Sequence, residues 1–427
     1  MTPTTSPRSF LFLQGLATLF FSRLGDRLAE RGHRVCRINL NGGDRAYWRR
    51  PGAVDFRGRP AEWPDFLARL LARWQITDLV LFGDCRPLHR IAIEIARERS
   101  LGVHVFEEGY IRPNWTTLES GGVNGHSALS DDPAWFRERA RGLPPWKPPA
   151  DDGSSFLRRA GLDVAYNLAG VALAWRFAHY RTHRLRHPML EYTGWIGKFA
   201  RKPGARQRSQ MALARLQASD PAYFLFPLQL EGDYQIREHS PFDDLAAAIR
   251  HVIASFAAQA PPDCLLVAKE HPLDNGLTDW RLLIREIAER CGVADRVLYL
   301  EVADAAPLLR GARGMVTINS SMGTQALAEG LPTTCLGKAL YDMPGLTFQD
   351  GLDAFWSRPT PPDPELFDAF RRVLAERCLV PGGFFSPKAE ETLITHSVGR
   401  LEGGAAPPAT ERHTPLPNYS PPALGAA

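Results

Sequence analysis

Apolar and polar positions along the chain fall into two blocks of alternating short apolar runs and amphipathic stretches. Residues 9–13 form an apolar run that predicts a buried strand, and Gln14-Gly15-Leu16 turns it into a helix around residues 21–31. Gly32 ends that helix before a second strand at 34–40. A helix at 62–74, a strand at 78–82, a helix at 86–99 and a strand at 102–106 continue the pattern. This βαβα rhythm predicts a mostly parallel, doubly wound sheet. A second block starts at Tyr223, with strands at 223–226, 265–269, 297–300 and 314–318. Its helices are predicted at 243–259, 280–291, 303–310 and 321–329.

Between the blocks, residues 142–155 are rich in Pro, Gly and Asp and read as a linker. The expected organisation is an N-terminal Rossmann-like domain over 1–150, a basic helical insert over 151–215 and a C-terminal Rossmann-like domain over 216–345. Helices over 346–400 pack back across the boundary, and a disordered Pro/Ala/Gly-rich tail covers 401–427. Two such domains facing each other across a cleft form a GT-B-like α/β fold.

Composition refines this picture. A hydrophobic content of 44 % and 10 % aromatic residues over 427 residues support packed cores. A formal charge of +4 gives no sign of a nucleic-acid partner. Six cysteines (36, 85, 264, 291, 335, 378) are scattered without a CxxC pair, so they read as buried thiols in a reducing compartment, and no metal site is expected. The apolar run 10–21 is too short to cross a bilayer and is broken at Gln14-Gly15, which favours a strand and turn over a signal peptide. Residues 155–210 carry eleven Lys or Arg against two acids, interleaved with apolar residues. They fit an amphipathic surface element drawn to anionic lipid, and equally a solvated helical hairpin.

Candidate chemistry gathers at predicted strand ends. Lys269, Glu270, His271 and Pro272 follow one apolar run; Asn319, Ser320, Ser321 and Gly323 follow another and open a helix. Carboxyl ends of parallel strands are where open α/β sheets bind ligands. A Lys, a His and hydroxyls at a helix start suit a phosphate, although a solvated turn and an ordinary helix cap would also use these residues. Glu107, Glu108 and Arg112 follow a strand of the first block, so one carboxylate is a candidate base or nucleophile. Gln14, Gly15 and Asn41 lie at strand-end turns, and Gln229 and Arg237 lie in a polar run after the first strand of the second block. Neither block carries a GxGxxG or Walker A loop, so no NAD- or ATP-type cofactor is expected.

Seven segments together resemble the capsule-polysaccharide KpsS/LipB family: FLFLQG (10–15), INLNGGD (38–44), EEGYIRP (107–113), PLQLEGDYQIREHSPF (227–242), KEHPLD (269–274), INSSMGTQALAEGLP (318–332) and YDMPGLT (341–347). The resemblance implies a retaining β-Kdo transferase that uses CMP-Kdo as donor substrate, with no separate cofactor. Its implied acceptor is a phosphatidylglycerol-type lipid on the cytoplasmic face of the inner membrane of Gram-negative bacteria, where other capsule assembly proteins would be its neighbours. The acidic-Gly, HP and Ser-Ser pattern is also similar to bacterial sialyltransferases, which use another CMP-activated ulosonic acid. By this likeness His271 would stabilise or protonate the CMP leaving group, and Ser320 and Ser321 would bind its phosphate. Lys269 would offset negative charge, and Glu107 or Glu108 would act from the facing domain. The alternative is a non-catalytic export or assembly factor that binds lipid-linked glycan.

Overall fold

The computed structural model describes residues 6–219 and 221–403. Six strands come first: β1 (Ser9–Phe12), β2 (Arg34–Asn39), β3 (Ala53–Asp55), β4 (Asp78–Phe82), β5 (Gly102–Glu108) and β6 (Trp115–Ser120). Five more build a second sheet: β7 (Tyr223–Pro227), β8 (Leu265–Lys269), β9 (Val297–Leu300), β10 (Gly314–Thr317) and β11 (Thr333–Cys335). The last strand, β12 (Leu379–Pro381), returns to the first sheet. The sheet orders are β12-β6-β5-β4-β1-β2-β3 and β11-β10-β7-β8-β9. Every pairing in the second sheet is parallel, and in the first only β6 pairs antiparallel, with β5 and β12. The mostly parallel GT-B-like arrangement expected from the hydrophobic pattern is therefore present.

Strand burial explains the parallel sheets. Phe10, Leu11, Phe12, Leu79, Val80 and Leu81 are fully buried, as are Phe224, Leu225, Leu266 and Val267. Such continuous apolar runs suit strands covered by helices on both faces. Chain reversal occurs beside β1 in the first sheet and beside β7 in the second, so each sheet has one switch point, and ligands of α/β sheets bind there.

Four strands were not expected: β3, β6, β11 and β12. Three of them are three-residue pieces. β5 runs two residues further than expected, so Glu107 and Glu108 are its last residues rather than part of a loop. The C-terminal end also differs. Helix Pro387–Glu402 includes Leu401, which is fully buried, and Glu402, which binds Arg31 and His33, so 401–402 belong to the folded core. The remainder of the expected tail, from residue 404, lies outside the described residues.

The insert is two helices, Phe156–Ala172 and Pro188–Ser219. Among the described residues, no helix is long and apolar enough to cross a membrane.

Candidate functional site

Both switch points open into one cleft of about 1310 Å³. From the first unit come Gln14 and Gly15 after β1, Asn41 after β2, Gly83 to Arg86 after β4, and Glu107, Glu108 and Arg112 at the end of β5. From the second come Gln229 after β7, His271 after β8 and Asn319 to Ser321 after β10. The two walls touch: the Thr324 hydroxyl, whose one proton is shared between the Tyr110 carbonyl at 2.9 Å and the Ser321 carbonyl at 2.8 Å, joins the NSSMGT segment to the EEGY segment.

Adjacent strand residues face opposite sides of a sheet, and this separates the two carboxylates. Glu108 sits between Arg112 and Arg159, each at 2.9 Å. Burial opposes its charge, but the two guanidiniums overcome that and hold its carboxyl below the usual range. Glu107 has no such partner among the described residues; its Oε1 accepts only the Glu108 N–H, at 3.0 Å. Burial and the neighbouring Glu108 charge push it up to about 8. Two consecutive acids thus differ in charge at neutral pH, Glu107 mostly protonated and Glu108 ionised.

The second wall carries Glu231, Asp233, Asp274 and Lys338 at its margins, but the cleft-lining groups at the ends of β7, β8 and β10 are neutral. Gln229 and Asn319 bond to each other twice, Gln229 Nε2 donating to Asn319 Oδ1 (3.0 Å) and Asn319 N donating to Gln229 Oε1 (3.1 Å). Asn319 Nδ2 also donates to the Gln235 carbonyl at 2.8 Å. This pair ties the β7 and β10 ends together and positions the two serines. The Ser320 carbonyl accepts from the Tyr341 hydroxyl at 2.6 Å, and the Ser320 hydroxyl accepts from the Met322 N–H at 3.2 Å. The Ser321 hydroxyl has no hydrogen-bond partner among the described residues and lines the cleft. His271 Nδ1 accepts the Leu273 N–H at 3.0 Å, which leaves the ring proton on Nε2. Burial, then Arg112 and Lys269, lower its pKa to about 4, so it is a neutral donor at physiological pH, not an imidazolium.

Four expected site residues lie off the cleft wall. The Lys269 side chain is buried and turns back to the Glu270 carbonyl at 3.2 Å. Arg237 stacks on Tyr234 at 4.7 Å. Pro272 does not line the cleft. At Gly323 an added Cβ would fall 2.1 Å from the Tyr341 hydroxyl, so this glycine makes room for that ring. Gln14 does reach the cleft but is already engaged, donating to the Tyr166 (3.0 Å) and Tyr180 (3.2 Å) hydroxyls.

The insert is what hydrophobic patterning failed to place. It forms a wall of the cleft and is tied to both units. Asn41-Gly42-Gly43-Asp44 is its seat: added Cβ atoms would lie 2.3 Å from the Ala169 carbonyl at Gly42 and 2.7 Å from the Tyr166 ring at Gly43. Asp44 accepts the Tyr166 hydroxyl at 2.9 Å while held by Arg37 at 2.8 Å. Arg176 pairs with Asp55 (2.5 Å) in the first unit; Arg186 with Glu231 (3.1 Å), Lys198 with Glu270 (2.5 Å) and Arg208 with Glu301 (2.7 Å) in the second. Arg184 is paired with Asp163 and with Glu191. Most of the positive excess read from the sequence therefore serves internal pairs.

The insert turns outward several cations unpaired among the described residues, such as Lys202 and Arg206, and a set of large apolar side chains. Among the described residues, every exposed large hydrophobic except Leu282 lies between 156 and 211, led by Leu157 (81 % exposed), Trp175 (74 %) and Ile196 (71 %). Phe156, Leu157, Val164, Val171, Leu185 and Phe199 also line the cleft, so the cleft opens onto this apolar belt. A patch of this extent marks an interaction surface.

Residues 77–385 match the family model for capsule polysaccharide biosynthesis proteins. The chain is 35 % identical over 388 residues to the capsule polysaccharide export protein KpsS of Escherichia coli, covering 90 % of this chain and 99 % of that protein. It is 34 % identical over 387 residues to the capsule polysaccharide modification protein LipB of Neisseria meningitidis, covering 89 % and 92 %. Among solved structures, the beta Kdo 2,7 transferase of Thermosulfurimonas dismutans KpsC superposes over 92 % of this chain and 100 % of that one, at 15 % identity and a TM-score of 0.43.

Proposed function

The chain belongs to the capsule polysaccharide biosynthesis protein family, and we propose that it is a glycosyltransferase carrying Kdo from CMP-Kdo to a phosphatidylglycerol-type lipid, starting the poly-Kdo linker with retention at the anomeric carbon. The observation that carries this reading is the joining of the EEGY and NSSMGT segments across one cleft by the Thr324–Tyr110 bond, with that cleft opening onto an apolar belt. On this reading one cavity takes the anionic sugar nucleotide and admits the lipid.

In this mechanism the donor phosphate lies against Ser320, Ser321 and His271 Nε2–H. Neutral donors already positioned at the cleft wall stabilise the charge that develops on the leaving phosphate without first needing a proton. The unpaired Glu107, in its ionised form, bonds to the anomeric carbon as the bond from that carbon to the CMP oxygen breaks, and CMP leaves with the electron pair. The lipid hydroxyl oxygen then bonds to the same carbon. The ester bond to Glu107 breaks, and the hydroxyl proton passes to the released carboxylate, whose pKa of about 8 suits it to accept one. Glu108 does not react; it holds Arg112 and Arg159 at the cleft wall. The acyl chains stay in the bilayer while the belt and the cationic surface of the insert hold the protein on the inner face of the inner membrane.

Incubation with CMP-Kdo and a short-chain fluorescent phosphatidylglycerol tests the reading. Released CMP and a β-linked Kdo glycolipid are expected. Folded protein that neither turns over nor binds CMP would overturn it in favour of a non-catalytic export or assembly factor.

A further inference from the structure

At the edge of the cleft, where Cys85 is part of the lining, three ligand-type side chains from distant parts of the sequence converge. Cys85 follows β4, His126 lies in the turn after β6, and His239 ends the helix Tyr234–His239 of the second unit. One ligand atom from each falls within 4.8 Å of the others. Cys85 Sγ and His239 Nε2 are 3.6 Å apart. A tetrahedral zinc ion with a thiolate and an imidazole separates those two atoms by about 3.5 Å, from bond lengths of about 2.3 and 2.05 Å. The His126 and His239 rings meet edge to face at 4.7 Å between centroids.

The surroundings are those of a metal site. Asp84 Oδ2 lies 3.1 Å from His126 Nδ1 and accepts the Val123 N–H at 2.9 Å. A carboxylate on one ring nitrogen fixes the tautomer and turns the other nitrogen towards a metal. The Cys85 thiol donates to Asp84 Oδ1 at 3.2 Å, and this proton is the one zinc binding releases. Cys85 and His239 are buried, and His126 is half-buried. Gly125 makes the fit possible, because a Cβ there would sit 2.4 Å from His239 Nδ1, on the side of the ring away from Cys85.

We propose that Cys85, His126 and His239 bind one zinc ion that clamps the two units together, with Asp84 as the group that orients His126. A soft thiolate with two imidazoles selects zinc over magnesium or calcium. The clamp would bear on the cleft, since the His239 carbonyl accepts the Lys338 N–H (2.7 Å) and the Asn319 Nδ2 (3.4 Å), and both of those residues line the cleft. The short-range spacing of the cysteines gave no hint of this site, because its ligands come from three separate parts of the chain.

The full chain, stripped of metal by a chelator and kept reduced without added thiols, is titrated with zinc alone and with cobalt alone. About one zinc per chain is expected by elemental analysis, with a cobalt spectrum showing a thiolate charge-transfer band and a melting temperature raised by zinc. Cys85→Ser should remove that band and weaken zinc binding by at least about a hundredfold, while Cys36→Ser leaves both unchanged. Asp84→Asn and Gly125→Ala keep all three ligands; each should weaken binding by about 10–100-fold, the range found for outer-shell partners. These two variants serve if Cys85→Ser does not fold. Sub-stoichiometric zinc in folded wild-type protein, or a cobalt complex without the thiolate band, would overturn the proposal and leave the cluster as a hydrogen-bonded contact between the units.

Discussion

The two walls of the cleft are built on the same kind of sheet switch point but present different groups at their strand ends, charged in the first unit and neutral in the second, where Glu231, Asp233, Asp274 and Lys338 line the margins. The wall from the first unit is charged: Glu107 and Glu108 with Arg86, Arg112 and, from the insert, Arg159. The wall from the second unit offers neutral donors, namely His271 Nε2–H, the serine hydroxyls and the Gln229–Asn319 pair. Neutral donors can receive a phosphate without a competing ion pair having to break. The charged wall costs more to hold folded, because buried charges need partners. All its acids are partnered except Glu107, and an unpaired acid with a displaced pKa marks where chemistry is to be sought. The contrast supports the proposed reading of Glu107 as the reactive group and of the opposite wall as a cradle.

The largest effect is expected from breaking the charged wall. Glu107→Gln should lower turnover by about 10³-fold or more, because it removes the group that bonds and then takes a proton. CMP affinity should stay within a few-fold, read by calorimetry beside the turnover assay. Glu108→Gln should cost less, about 10–100-fold, through loosened Arg112 and Arg159. The reverse order would exchange the two roles. Next comes the neutral wall. His271→Ala should cost about 10²-fold, the scale of one lost transition-state donor. Because His271 is already neutral above about pH 4, the ratio of variant to wild-type rate should not change between pH 6 and 8. Wild-type turnover itself should rise towards a plateau above about pH 8, as Glu107 ionises. A rate falling over that range would instead indicate that the proton on Glu107 is needed.

The two walls also differ in how far they could be read from sequence. In the second unit β8 and β9 have the expected bounds, since short apolar runs between amphipathic helices leave little choice. The first unit was harder. β6 adds an antiparallel strand beyond β5, and β12 reaches the same sheet from the far end of the chain, carrying only three residues and no local signal. The acidic, HP and Ser-Ser segments announced themselves by position at strand ends. The electrostatic split between Glu107 and Glu108 did not, because it depends on Arg159, fifty residues away in the insert. The insert's cations looked like a lipid-binding surface for the same reason: their acidic partners Asp55, Glu231, Glu270 and Glu301 are remote in sequence.

That correction changes the expected membrane behaviour. Replacing Leu157, Trp175 and Ile196 together with Ser should weaken binding to phosphatidylglycerol vesicles by about 10–100-fold, since each fully buried apolar side chain contributes roughly 1.5–3 kcal/mol and a belt at an interface is only partly buried. Neutralising Arg181, Lys202 and Arg206 should produce a smaller, salt-sensitive loss of a few-fold, because salt screening leaves each exposed charge about 0.3 kcal/mol. Vesicle sedimentation at two salt concentrations separates the two terms. A larger loss from the charges than from the belt would restore the electrostatic reading of the insert.

The smallest effect is on stability, and it tests the contrast between the two carboxyls without any substrate. Glu107 has its pKa raised to about 8 in the folded chain, against 4.5 for an ordinary glutamate. Between those values the folded state keeps a proton that the unfolded state has released, so stability falls as pH rises and the loss is complete above about 8. Glutamine cannot ionise, so Glu107→Gln should melt like wild type at pH 4 and above it at pH 9, by about 1–2 kcal/mol once relaxation of the buried site is allowed for. Glu108 has the opposite sign. Its folded pKa is lowered by Arg112 and Arg159 against the cost of burial, so its contribution is present above the unfolded value and is lost on acidification. Glu108→Gln should therefore lower the melting temperature at pH 7 and lose that deficit as the pH falls below 4. Calorimetric melts of both variants across this range read the two signs directly. Two variants shifting the same way would mean that the adjacent acids share one environment, and the assignment of Glu107 as the reactive group would lose its physical basis.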